Sequence, residues 1–312
     1  MMNRFTFKIF LIGCCGMAIW LLSMSASAQD GRLPGTERLG DARMLAMAGA
    51  LRASSSNTSA VYLNPAAMSM AKVYHINLKY QYTGLDALHN GGVVLMDSVT
   101  SQTFAGGVSF DYVRSAKEYT DFESIDGKLA VSATIRDIFF FGTTVRYLRT
   151  AYDVESSSLG PNYTPALPRN DTVQAKGFTF DAGMALKAGD IISIGVVGYN
   201  LSNTGSVYAP LQLGGGVSAL IKNMWLIEVD AVTDFTSYDE TSLELQLGTE
   251  FILKQQFSFR GGFGHDFHFD VNSYGLGFGF TGKRLAVDLG FKQDIEFPKR
   301  VRIALGFRIF IG

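Results

Sequence analysis

Charged side chains of both signs recur at alternate positions in segments that are otherwise rich in glycine and apolar residues. Acids and bases that meet across two neighbouring strands form ion pairs, whereas a water-filled path lined by them conducts polar solutes. Because the two signs are mixed, we do not expect a strongly ion-selective pore. The set comprises Lys79, Asp111, Arg146, Asp181, Glu228, Asp230, Glu244, Glu250, Arg260, Asp288, Lys292, Arg302 and Arg308.

The positions of these charges in successive segments suggest which of them meet. An acid and a base that lie one predicted strand apart can pair directly, which would stabilise the wall that carries them. A polar path for a solute remains the second interpretation of the same side chains. The predicted pairs join Arg260 to Glu244 and Glu250, and Asp288 to Arg302 and Arg308.

Histidines are the other residues that could carry chemistry. His265 and His268 stand in one predicted loop, spaced like a metal-binding pair, and His75 shares a strand face with Asn77. A hydrolase needs a nucleophile or an activated water within reach of a base, and a metal site needs further ligands. Neither a serine motif nor a third ligand accompanies these histidines. We therefore predict no enzyme activity, no metal site and no cofactor.

The wall that positions these charges is indicated most clearly from residue 272 to the C-terminus. Apolar residues such as Val301, Ile303 and Leu305 fall on every second position, and Arg302 and Arg308 fall between them. Period two predicts β-strands, and each run has about the 9–11 residues that a tilted strand needs to cross a bilayer. The predicted strands are 73–83, 92–99, 103–114, 127–135, 138–150, 175–187, 191–200, 211–221, 224–234, 242–253, 257–265, 272–281, 284–294 and 300–311.

The connections between the predicted strands alternate between short and long. Tight turns such as 136–137 and 222–223 alternate with longer connections such as 84–91, and 151–174 is the longest. In outer-membrane barrels the short turns face the periplasm and the long loops face outward. We therefore predict an all-β fold, a transmembrane antiparallel β-barrel of about fourteen strands over residues 73–312.

Residues 1–28 read as a secretory signal peptide. A basic start with Arg4 and Lys8 precedes an apolar stretch, and Ala26-Ser27-Ala28 resembles a cleavage site. The run that ends at Cys14 also resembles a lipoprotein signal. Export predicts a bacterial outer-membrane location with membrane lipid as a partner, and the net charge of −1 gives no reason to expect nucleic-acid binding.

Residues 29–72 do not alternate, and they include Ser59-Ala60-Val61-Tyr62 and Asn64-Pro65-Ala66-Ala67-Met68 just before the first strand. This stretch resembles the FadL-type family of outer-membrane transporters for long-chain fatty acids and aromatic hydrocarbons, and its shorter PorV-like relatives. The resemblance implies a partly helical N-terminal hatch that plugs the barrel, with Asn64, Pro65 and Ala66 in that role. We expected this segment to start at the periplasmic end.

The resemblance leaves two functions open. The first is passive transport of small hydrophobic or amphipathic solutes. The second is a PorV-like structural or docking role in an envelope or secretion assembly, with another envelope protein as partner and without transport. The family's transporters are usually longer, with larger outer loops, so a surface site for fatty acids is not expected here.

Overall fold

A computed structural model describes residues 35–36, 38–116, 121–153, 173–202 and 205–311. The predicted signal peptide and most of the long 151–174 connection lie outside the described residues. None of the described helices is both long and apolar enough to cross a membrane. The strands are β1 Tyr74–Thr83, β2 Leu88–Asp97, β3 Phe104–Ser115, β4 Asp121–Ile135, β5 Phe139–Asp153, β6 Val173–Ala188, β7 Ile192–Tyr199, β8 Gln212–Ile221, β9 Trp225–Asp234, β10 Ser242–Leu253, β11 Phe257–Asp266, β12 Val271–Thr281, β13 Leu285–Asp294 and β14 Val301–Phe310.

The strands form one closed barrel in which each pairs with its neighbours in sequence, and β14 returns to pair antiparallel with β1. Lys79 of β1 lies opposite Gly306 of β14, so the closing seam is in register along both strands. Closure leaves no unpaired edge between the first and last strands. The prediction of a fourteen-stranded antiparallel barrel is confirmed.

Alternation gives the wall two chemically different faces. On β13 and β14, Leu289 and Leu305 lie opposite each other and remain 45% and 37% exposed on the outside of the barrel. Their neighbours Asp288 and Arg302 are buried inside. A wall that is apolar outside and polar inside is suited to lipid on one side and to a polar interior on the other.

Two strands begin earlier than predicted: β2 at Leu88 and β4 at Asp121. The connection 84–87 is therefore shorter than the connection 98–103 at the opposite end of the barrel. The expectation that short and long connections alternate without exception was wrong for these first hairpins. From β4 onward the short turns remain together, and we call that end of the barrel the short-turn end and the opposite end the long-loop end.

Residues 38–70, which we call the inner segment, lie inside the barrel. They contain helix α1 (Ala42–Ala46), helix α2 (Ala60–Leu63) and a 3₁₀ helix (Pro65–Met70). The Asp41 side chain accepts a hydrogen bond from Met44 N and caps α1. The Asn64 side chain caps the 3₁₀ helix in the same way, with Pro65 at its first position. Local capping thus explains why short helices form where the alternation stops.

Apolar contacts hold the second half of the inner segment against β2–β6. Val61 and Met68 pack in one buried cluster with Val94, Met96 and Phe140 of the wall. Because Val94 and Met96 are inward-facing yet apolar, β2 is apolar on both faces. This contact with the inner segment explains why the strand showed no clear alternation in the sequence.

The outward face predicts a specific cost for a charge. Leu289→Arg should lower the free energy of unfolding in lipid by about 2–4 kcal/mol if the site lies near the bilayer midplane. Urea unfolding in liposomes measures this, with Leu289→Ala as the control that removes the side chain without adding charge. Equal stability of the two variants would place this face outside the hydrocarbon.

Candidate solute chamber and the inner segment

A chamber of about 890 Å³ lies between the inner segment and the long-loop end of the barrel. Its floor includes Met44, Leu63 and Arg52 of the inner segment, and its rim includes Tyr238 and His268 from two connections. The volume falls within the range of small-molecule sites. The closed wall and the folded-in segment together create this space.

One side of the chamber is apolar. Leu88, Val113, Phe122 and Leu148 of β2–β5 are buried in one cluster, and Leu39 of the inner segment packs against it. All five side chains line the chamber. This side can desolvate an apolar group of a solute.

Charged groups lie beside the apolar cluster. Arg146 and Asp126 form an ion pair with Nη2 and Oδ2 2.6 Å apart, and the Arg38 guanidinium lies 3.6 Å over the Tyr199 ring. The Lys128 side chain, also in the lining, has no hydrogen bond or ion pair to any residue that the structure describes. The chamber therefore offers apolar and charged surfaces to the same occupant.

The described residues that lead into the inner segment lie at the long-loop end. A Cβ added to Gly35 would meet the Phe122 ring at 2.2 Å, and Thr36 and Leu39 line the chamber. The chain then descends through α1 and α2 toward the first residue of β1. Our expectation that this segment starts at the periplasmic, short-turn end was wrong for the described residues, because Phe122 stands near the long-loop end of β4.

Arg52 joins the inner segment to β9. Its Nη1 lies 2.9 Å from Asp230 Oδ2, which also accepts hydrogen bonds from the backbone N–H groups of Leu51 and Arg52. Nη1 also donates to Gln246 Oε1 and Nε donates to Tyr199 Oη.

A second chain of ion pairs links α1 to four strands. Arg43 of α1 lies 2.7 Å from Glu250, and Glu250 lies 2.6 Å from Arg260. Arg260 continues to Asp288 at 2.7 Å, and Asp288 continues to Arg308 at 2.8 Å. Each charge in this buried series faces an opposite one, which offsets the cost of removing it from water.

Two of the predicted pairings were wrong. Arg302 lies 3.4 Å from Asp294 and not beside Asp288, because the register sets Arg302 opposite Lys292. Glu244 lies 3.8 Å from Lys292 and not beside Arg260. Arg302 and Glu244 both lie nearer the long-loop end than the series of ion pairs that contains Arg43.

Other inward charges of the wall bind the inner segment. Lys79 pairs with Asp111 at 2.6 Å and donates to Gly40 O, and Tyr62 Oη donates to the same Asp111 carboxylate. Glu228 accepts from Ala53 N and Ser54 Oγ, and Lys292 donates to Ala48 O. Asp181 instead accepts from Asn200 N, which follows β7 and lies outside the inner segment.

Asn64, Pro65 and Ala66 are buried against β5 and β6. Asn64 Nδ2 donates to Met184 O of β6 and to Arg52 O of the inner segment. A Cβ on Gly142 would lie 2.4 Å from Ala66 N, and one on Gly183 would lie 2.1 Å from Asn64 Oδ1. Glycine at Gly142 leaves room for the backbone at Ala66, and glycine at Gly183 leaves room for the Asn64 side chain.

Three histidines contact aromatic or amide side chains. His268 stacks on Tyr238 with ring centroids 3.9 Å apart, and His265 Nδ1 contacts Asn272 Oδ1 at 3.0 Å. His75 is buried edge-on to Phe310. Among the residues that the structure describes, no group of three or more His, Cys, Asp or Glu side chains could hold a metal ion.

Sequence reasoning missed Arg43, Arg52 and Tyr62 of the inner segment. The signal was present, because these are large polar residues in a stretch otherwise rich in alanine and methionine. Buried charges require partners, so arginines in such a segment predict acids around it.

No family model matches the sequence, and no curated protein matches it. Solved structures do match. The CymD monoaromatic hydrocarbon channel aligns with a TM-score of 0.68 at 10% identity, over 90% of this chain and 99% of that chain. The Ralstonia pickettii toluene transporter TbuX aligns with a TM-score of 0.64 at 12% identity, over 90% and 100%. A Pseudomonas aeruginosa FadL homologue gives 0.58 at 13% identity, over 87% and 97%. These likenesses establish the fold: the chain forms a closed fourteen-stranded barrel similar to those of the hydrocarbon channel, the toluene transporter and the FadL homologue.

Proposed function

We propose that this chain is an outer-membrane channel for the passive entry of small hydrophobic or amphipathic solutes, with the inner segment as its plug. The chamber supports this proposal most directly, because it places an apolar wall beside charged groups above a folded-in segment. The likeness to hydrocarbon and toluene transporters supports the same solute class.

The proposed path begins at the long-loop end. A solute loses water against Val113, Phe122 and Leu148, and a polar end of the solute remains beside the Arg146–Asp126 pair. Passage to the short-turn end requires the inner segment to shift. The solute's own gradient drives the process, and the many contacts of Arg43, Arg52 and Asn64 determine how rarely the plug moves.

A bulky residue in the chamber should reduce uptake. Val113→Trp places an indole where Val113 now lines the apolar side, so uptake of a small apolar fluorophore by cells whose lipopolysaccharide excludes it should fall several-fold. Val108→Trp is the matched control on the same strand, because Val108 faces outward. Equal uptake by both variants, at equal amounts of folded barrel, would exclude the chamber as the path.

A further inference from the structure

Exposed basic side chains are concentrated at the short-turn end of the barrel. In the part of the chain that the structure describes, Asp137 and Asp190 are the exposed acids of that rim. At the long-loop end, exposed bases (Arg114, Lys176, Lys299) and exposed acids (Asp239, Glu240, Asp270) balance among the described residues. The exposed bases at the short-turn end are Lys72, Arg136, Lys222, Lys254, Lys283 and Arg284.

The tight turns set the backbone positions of several of these bases around the rim. Lys222 and Lys254 have φ values of 53° and 54°, each as the first residue of a tight turn between two strands. Neither lysine has an ion pair to any residue that the structure describes. Because each tight turn joins two paired strands, the order of the strands sets where these bases lie around the barrel end.

Apolar residues lie directly beside the basic ones. Met224 and Trp225 follow Lys222 and are 41% and 46% exposed, and Leu253 immediately precedes Lys254. Leu285, 47% exposed, follows Arg284 in the same way. A basic group at the border of an exposed apolar band lies at the depth of lipid headgroups, where long side chains extend toward phosphate.

We propose that this basic rim binds the headgroups of net anionic phospholipids in the leaflet next to the short-turn end. Phosphate oxygens accept hydrogen bonds from lysine and arginine, and a negative leaflet surface attracts such clusters. The exposed apolar side chains beside these bases favour a lipid over a soluble acidic partner, because one phospholipid can lay its acyl chains on Trp225 or Leu285 while its phosphate meets the adjacent base. The inference rests on the membrane placement in the proposed function, but it does not require transport.

Lipid enrichment around the purified full-length protein tests whether the rim binds anionic phospholipid headgroups. The protein is inserted into nanodiscs that contain phosphatidylglycerol and phosphatidylethanolamine with the same acyl chains, and the lipids retained on the released protein are counted by native mass spectrometry. The triple variant Lys222→Gln, Lys254→Gln, Lys283→Gln removes three rim charges without introducing glycine or proline into the turns. The matched control, Arg114→Gln, Lys176→Gln, Lys299→Gln, removes three charges from the long-loop end.

We expect the native protein and the control to retain phosphatidylglycerol preferentially, and the rim variant to lose roughly an order of magnitude of that preference. Equal retention by native protein and rim variant, or an equal loss in the control, would overturn the proposal. Binding of soluble polyglutamate by the native protein but not by the rim variant, without a lipid preference, would assign the rim to an acidic partner instead. A protein that inserts and enriches the lipid but passes no solute would sustain this inference and refute the transport function.

Discussion

Replacing Gly290 with valine is expected to raise the uptake of small apolar solutes while leaving the barrel folded. A Cβ at this position would lie 2.1 Å from Ala42 O, which is backbone and cannot rotate away. The inner segment must therefore shift from β13, at a cost of about 1–3 kcal/mol for such overpacking. Fluorophore uptake by whole cells measures the opening, and resistance of the barrel to unfolding in cold detergent measures its integrity.

The control for this substitution is a strand glycine that faces open space. Gly91→Val adds the same atoms to β2, where a Cβ would meet nothing within 4 Å. Its uptake should match that of the native protein. If Gly290→Val also leaves uptake unchanged while the protein folds, the part of the inner segment that packs against β13 does not obstruct the path.

Removal of the Asp230 carboxylate is expected to loosen the first half of the inner segment. Asp230→Ala leaves Arg52 buried without its acid and leaves the backbone N–H groups of Leu51 and Arg52 without their acceptor. Breaking one side of a buried pair costs about 3–5 kcal/mol. Hydrogen exchange of the amides of Leu51 and Arg52 should therefore accelerate by orders of magnitude, whereas amides in β12 should change little.

A double variant separates the lost charge pair from the lost backbone contacts. Asp230→Ala combined with Arg52→Met removes both charges, so its destabilisation should be smaller than the sum of the two single effects. Additive effects would show that Arg52 and Asp230 do not depend on each other. Native exchange rates in Asp230→Ala would contradict the anchoring role of this contact.

The wall could be predicted because the alternation within each strand depends on residues that are close in sequence. Most strands have one apolar and one polar face, and that requirement appears in the sequence as period two, with β2 as the exception. The placement of charges such as Glu250, Arg260 and Asp288 on the inner face follows from the same rule. Their mutual contacts then follow from the register of neighbouring strands.

The remaining features depend on contacts distant in sequence. Val94 and Met96 are apolar because the inner segment covers them, so β2 lacks a clear alternation in the sequence. Arg302 faces Asp294 because of a register that no local pattern specifies. The position of Gly35 beside Phe122 likewise depends on how the segment threads through the closed barrel.

The proposal that the inner segment must move for solutes to pass is tested most directly by a reversible tether. The Cβ atoms of Ala50 and of a residue built at Gly248 lie 3.2 Å apart, close to the separation in a disulfide of about 3.5–4.5 Å. The only native cysteines, Cys14 and Cys15, lie in the predicted signal peptide, so Ala50→Cys with Gly248→Cys should form the pair cleanly. Fluorophore uptake should be lost when this pair is oxidised and restored when it is reduced. Met47 Cε lies 2.7 Å from the added Cβ and is the end of a flexible side chain that can move aside, so uptake by each single cysteine variant should not depend on the reductant. Equal uptake in the oxidised and reduced states would contradict a path that the inner segment closes.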